Sequence, residues 1–205
     1  MKGQKGMETK RVIRKQAFKM FLTRGYDTVS LRDIEDLTRL SRGGTLYHYT
    51  DKPALFMDVI DYYILQTEES YLPEKFPDAP SLLEFIRHRI NLFEEKFAYY
   101  RQFLLPEAKV SLFQAYTGLL LQAMAYCPDC KIRLEDISDR KWQRWKNVLE
   151  KAQKIGEISS RWDCADIAGQ FKYMFEGVLI ENGKENTVLP VLEKQCIFIY
   201  SLIKP

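Results

Sequence analysis

Apolar positions along this chain recur at helical spacing almost from end to end, and no stretch pairs convincingly as strands. Ile13, Ala17, Phe18 and Phe21 form the stripe of a first helix, expected from about 7–9 to Arg24 and stopped by Gly25 as a left-handed cap. After the connector Tyr26-Asp27-Thr28-Val29, Ser30 is a good N-cap and Asp33 takes the capping-box position. Leu31 and Ile34 then face inward, in a short helix that ends near Thr38 or Arg39. Ser41 can cap a third helix with Leu46 as its buried anchor. Asp51 caps a fourth, with Pro53 in the first turn and Leu55, Phe56, Val59 and Ile60 along its apolar face. A polar, proline-bearing stretch from Ser70 to Pro80 reads as a connector. Five further helical patterns follow, over 81–101, 107–126, 136–158, 163–181 and 187–203. The pattern is all-α.

Charge divides the chain more sharply than its total suggests. The net value is +3 over 205 residues, but residues 1–52 hold 12 Lys+Arg against 6 Asp+Glu, leaving 19 against 22 for the rest. A head of +6 on a body of −3 predicts that the head meets nucleic acid; a basic, flexible N-terminus on an ordinary protein is the plainer alternative. The polar N-terminus lacks the apolar core of an export signal. The apolar run Leu119 to Ala125 is interrupted by Gln122 and too short to span a bilayer. Four cysteines make no secreted disulfide framework. A cytoplasmic protein without membrane contact is expected.

Two short helices joined by a tight turn, the second rich in hydroxyls, aromatics and a basic residue, make a helix-turn-helix suited to a DNA major groove. Ser30 and Ser41 stand at helix N-termini, where free N–H groups favour phosphate. Thr45 and Tyr47 can hydrogen-bond phosphate or pack on thymine methyls. Arg42 and His48 are the best base readers, Arg42 toward guanine. Gly43 and Gly44 allow close backbone approach. Tyr49 completes this surface set, with packing in the small domain the lesser alternative for Tyr47 and Tyr49. His48 is a poor candidate metal ligand, since the other histidine is the distant His88.

The run Ile13, Ala17, Phe21, Gly25-Tyr26, Ser30-Leu31-Arg32-Asp33-Ile34, Leu40-Ser41-Arg42-Gly43, Leu46-Tyr47-His48-Tyr49, Lys52-Pro53-Ala54-Leu55-Phe56 resembles the N-terminal domain of TetR-family transcriptional regulators. It departs from the usual pattern at Glu35, Arg39 and Thr50. The resemblance implies a helix-turn-helix DNA-binding domain, residues 1–52, followed by a helical effector-binding and dimerisation domain, residues 53–205. It implies that Lys52 grips a phosphate. It also implies that the last two helices form a four-helix bundle with a twin, giving a homodimer on a palindromic double-stranded operator. The two last helices, apolar on more than one face, agree.

Family members generally release DNA when a small molecule fills the body. Phe103, Phe113, Tyr116, Met124, Trp142, Trp145, Phe171, Met174 and Phe175 supply the aromatic and thioether surface of such a pocket, or simply of a core. No buried charge is evident in the sequence, so an apolar or amphipathic effector is expected, with no cofactor and no metal. Cys127-Pro128-Asp129-Cys130 supports the rival reading, a thiol- or metal-dependent redox protein or sensor. A second CxxC or CxxH that would complete a zinc site is missing, and the plain alternative is a helix-ending turn. No arrangement for enzymatic catalysis is visible.

Overall fold

A computed structural model of the chain describes residues 2–71, 81–180 and 185–205, giving the backbone alone for residues 2, 3, 5 and 185–187. The described residues form α1 (Lys2–Arg24), α2 (Leu31–Thr38), α3 (Arg42–Leu46) and α4 (Lys52–Ile60). A π-helical turn (Asp61–Leu65) leads into α5 (Gln66–Ser70). Then come α6 (Leu82–Arg101), α7 (Leu112–Tyr126), α8 (Pro128–Lys154), α9 (Cys164–Gly177) and α10 (Glu185–Ile203). The chain is all-helical in these residues, as the periodicity predicts. Most of the connector expected at 70–80 lies outside them.

The elements group into two compact units. The first holds residues 1–67 and 100–134, the second 68–99 and 135–205. The stretch expected to face DNA, 1–52, is therefore completed by residues from far along the chain. In the first unit Phe18 is fully buried and stacks on Tyr63 at 4.3 Å, with Phe103 edge-on at 5.0 Å and Tyr100 tilted at 6.0 Å. The buried Tyr100 hydroxyl donates to the Tyr63 carbonyl at 2.8 Å, satisfying a polar atom that would otherwise be costly to bury. In the second unit Trp145 stacks on Phe171 at 4.4 Å and meets Phe85 edge-on at 4.8 Å. The Glu157 carboxylate there accepts from the N–H groups of Leu82 and Leu83 at the start of α6 and from the Tyr200 hydroxyl of α10. One anion thus satisfies orphan donors at a helix N-terminus and pins three segments together.

Several boundaries differ from the sequence expectations for identifiable reasons. α1 begins at Lys2, five residues or more before its apolar stripe, because nothing in the polar N-terminus breaks a helix. α7 begins at Leu112 rather than near Glu107, set by a capping box between Ser111 and Gln114. α8 begins at Pro128, well before Asp136, with proline in the first turn where its missing N–H costs nothing. Gly25 and Gly156 have φ of +80° and +75° and close α1 and α8. Arg39 also adopts the left-handed conformation, φ 57°, with its N–H on the Glu35 carbonyl. A non-glycine residue there costs roughly 1 kcal/mol, which closure of α2 and the turn into α3 offset.

Candidate nucleic-acid interface

The surface that could read DNA is built by local capping. The Ser30 hydroxyl accepts from the Asp33 N–H at 3.2 Å, and the Asp33 carboxylate accepts from the Ser30 N–H at 2.7 Å, so α2 starts on a reciprocal capping box. The Ser30 donors hold the Asp33 carboxyl below its usual range. A depressed acid contributes stability above its unfolded value and loses it as pH falls through the lowered one. An NMR titration is expected to place the Asp33 midpoint below about 3.9, the unperturbed value, and Ser30→Ala to return it toward that value. Ser41 starts α3, its hydroxyl accepting from the Gly44 N–H at 3.2 Å, and Asp51 starts α4 by accepting from the Ala54 N–H at 2.8 Å.

On α3 the two faces are assigned differently from the sequence expectation. Thr45 is fully buried, and Leu46, expected as the anchor, is exposed. Thr45 is therefore withdrawn from the set of DNA contacts. In a five-residue helix the position rather than the hydrophobicity of the side chain decides which face points in, and here that is the face of Thr45. Tyr49 is withdrawn as well. It is buried and its hydroxyl donates to Asp58 at 2.6 Å; burial and that bond raise its pKa, so it stays a neutral donor. Asp58 also receives Arg14 at 2.6 and 3.2 Å and Lys10 at 3.6 Å, tying α1, α4 and the end of the recognition segment to one carboxylate.

What remains outside is coherent. Ser30, Ser41, Arg42 and Gly43 are exposed, as is Tyr47, 83% accessible, while His48 is half-buried and meets Tyr47 edge-on at 5.0 Å. Around Gly43 a Cβ would meet nothing within 4 Å, whereas at Gly44 it would meet the Ser41 hydroxyl at 3.4 Å. Gly43 therefore faces open space, whereas Gly44 lies against the cap of its own helix.

Lys52 is half-buried, its ammonium 4.0 Å above the Tyr26 ring, and burial lowers its pKa. Tyr26 is held in turn by α7: the Gln122 side chain accepts from its N–H at 2.8 Å, while Phe56 and Tyr126 pack on its ring at 4.4 and 4.9 Å. Tyr26, Gln122 and Asp58 are the positioning residues that sequence reasoning missed. The signal for Gln122 was present: a polar side chain interrupting an apolar run is usually hydrogen-bonded to something buried.

The residues expected to line an effector pocket separate. Phe103, Phe113, Tyr116 and Met124 belong to the first unit, and Trp142, Trp145, Phe171, Met174 and Phe175 to the second. Cys127 caps the end of α7, as the helix-ending-turn reading expects, and is joined by a disulfide to Cys130 in the first turn of α8, with the Cys127 sulfur accepting from the Cys130 N–H at 3.2 Å. No group of three potential metal ligands occurs among the described residues, and none of their helices is long and apolar enough to cross a membrane.

No family model matches the chain. The HTH-type transcriptional repressor BepR of Brucella suis biovar 1 is 26% identical over 174 residues, covering 85% of this chain and 80% of that protein. A TetR-family transcriptional regulator of Agrobacterium tumefaciens superposes with a TM-score of 0.69 at 15% identity, covering 98% of this chain and all of that one. A transcriptional regulator of Saccharomonospora viridis in complex with choline gives 0.69 at 18% identity, covering 95% and 96%. The regulatory protein TetR of Rhodobacter sphaeroides gives 0.64 at 18%, covering 94% and 96%. Fold and sequence agree on one description: over nearly its whole length the chain is TetR-like, with the architecture of the TetR-family transcriptional regulators.

Proposed function

We propose that the chain is a transcriptional repressor that binds a roughly palindromic duplex operator as a homodimer in the cytoplasm and leaves it when a small molecule occupies its body. The carrying observation is the outward set on and around α3. Arg42, Gly43 and Tyr47 are exposed on a helix whose inner face is fixed by Thr45 and whose flank is locked by Tyr49 and Asp58. Arg42 would offer a bidentate fork to guanine, and Ser30, Ser41, Tyr47 and Lys52 would hold phosphate. Release follows from a population shift. An effector favouring a body conformation in which two recognition helices no longer match successive major grooves lowers affinity by its differential binding alone. The choline-bound fold relative supports a small-molecule role for such a body. The redox alternative is not favoured, because the relative and the fold neighbours carry the names of transcriptional regulators.

Selection of purified protein on random duplex DNA, followed by sequencing, tests the reading and is expected to return a palindrome. Arg42→Ala is expected to relax one base position in each half-site at a cost of about 1–3 kcal/mol. Lys52→Ala should weaken all sequences alike and lower the salt slope by about one. An unchanged base profile for Arg42→Ala would remove Arg42 as a reader.

A further inference from the structure

The corner between α7 and α8 carries a motif that DNA binding leaves unused. Cys127 ends α7, its N–H on the Ala123 carbonyl at 3.0 Å, and starts α8, its carbonyl accepting from the Lys131 N–H at 3.0 Å. The Cys127 sulfur accepts from the Cys130 N–H at 3.2 Å, so it takes the capping place at the N-terminus of a 27-residue helix. Free N–H groups and the helix dipole at such a place favour a thiolate over a thiol. Cys130 supplies the second sulfur, and the two are joined. Within residues 125–132 these two cysteines alone are buried; Ala125, Tyr126, Pro128, Asp129, Lys131 and Ile132 are exposed. The sulfurs thus lie under a single layer of chain at a helix end, where local opening costs less than in a helix centre.

The same corner bears on the reading head. Tyr126, the neighbour of Cys127, packs on the Tyr26 ring at 4.9 Å, and Gln122, one turn earlier, accepts from the Tyr26 N–H at 2.8 Å. The Lys52 ammonium lies 4.0 Å from that ring. All of these residues belong to the first unit. Opening the disulfide must move the corner. Bonded sulfurs lie about 2.05 Å apart, whereas non-bonded heavy atoms settle about 3.5–4.0 Å apart. The end of α7 takes up part of that difference, and Tyr126 is the side chain next to it. A disulfide in a cytoplasmic protein is usually made and broken in use, because the compartment is kept reducing.

We propose that Cys127 and Cys130 are a reversible dithiol–disulfide couple that sets operator affinity, the disulfide holding Tyr126, Tyr26 and Lys52 for phosphate and the dithiol releasing them. This regulation rests on the repressor reading above and adds to it rather than replacing it. It needs no turnover, only exchange with a low-molecular-weight disulfide such as oxidised glutathione. The Cys127 thiolate attacks one glutathione sulfur, forms a mixed disulfide and expels a first glutathione thiolate, which takes up the Cys127 proton. The Cys130 thiolate then attacks the Cys127 sulfur and expels the second glutathione, which takes up the Cys130 proton. Two protons and two electrons pass from the cysteines to glutathione disulfide, and excess glutathione reverses both steps.

The test uses the purified full chain equilibrated in buffers of fixed reduced-to-oxidised glutathione ratio. Alkylation and peptide mass mapping read the Cys127–Cys130 bond apart from the buried free thiols of Cys164 and Cys196. The bond is expected to form and open across these ratios while far-ultraviolet circular dichroism stays constant. Retention of a duplex selected from a random pool is expected to be tighter in the oxidised form by about 5–150-fold, the usual span of coupling between sites. Cys130→Ser should bind as the dithiol form does at every ratio. Tyr126→Ala, at an exposed position outside the couple, should keep the glutathione response of the bond and abolish the difference in retention. It carries the test if Cys130→Ser fails to fold. A bond that stays closed in excess glutathione, or one that never forms, would overturn the proposal. A specific duplex retained equally by both forms rejects the switch and leaves the repressor reading standing. A bond that cycles in protein retaining no specific duplex in either form supports the couple and rejects the repressor reading, and with it the operator role.

Discussion

Exchange of Phe198 for glutamate is expected to yield a monomer and to lower operator affinity by about a hundredfold or more. Val191, Phe198 and Leu202 are exposed on α10 at spacings of seven and four, so they share one face, and Phe198 is 57% accessible. Tyr173 on α9 and Ile180 just beyond it add exposed apolar surface at a spacing of seven. Apolar side chains left exposed on two helices that pack on each other point to an interaction surface. A second copy of the same two helices is the partner that closes it in the proposed dimer. A glutamate on each side of a two-fold contact buries two like charges, whereas in the monomer it sits in water and leaves the fold intact. Loss of the twin removes the second half-site contact, whose effective concentration accounts for a factor of about 100 to 10,000. Sedimentation and operator titration on one preparation check both effects. A dimer of normal affinity would place the interface elsewhere.

Removal of the Asp58 carboxylate should damage the reading surface from within. Asp58→Ala leaves the half-buried Arg14 guanidinium without its bidentate partner and the buried Tyr49 hydroxyl without an acceptor. Hydrogen bonds to charged groups contribute about 1.5–3 kcal/mol each. With part of the site open to solvent, a total near 3 kcal/mol is expected, or roughly 6–12 °C in Tm for a chain of this size. Asp58→Asn retains an acceptor for Tyr49 and should lose less. Thermal melts of the two variants separate the ion pair from the hydrogen bond. Equal melting of Asp58→Ala and the parent would show that this carboxylate does not hold the recognition segment.

The helix starts at Ser30, Ser41 and Asp51 were legible because a cap is a local event between a side chain and an N–H three residues away. Gly25 was legible for the same reason: a left-handed cap is chosen by one residue. Arg39 was not, since its conformation is imposed by the turn between two packed helices against the residue's own preference. The inner and outer faces of α3 were misread because five residues are fewer than two turns, too few for a period to declare itself. The pairing of the buried Glu68 with Lys96 and Lys141 was invisible for another reason. Glu68, Lys96 and Lys141 are separated by up to 73 residues and look like ordinary solvated charges until the fold brings them together.

The hydrogen bond from Tyr26 to Gln122 spans 96 residues and carries a further consequence, in the timing of synthesis. At about 5–20 residues per second, a ribosome delivers Gln122 roughly 5–20 s after Tyr26. In the later part of that interval α1 to α4 are complete while α7 is not, and the Tyr26 ring lacks one of its covers. The nascent head cannot set Lys52 over a fixed Tyr26 until most of the chain exists. An unfinished polypeptide is thereby kept from competing with complete molecules for the same duplex.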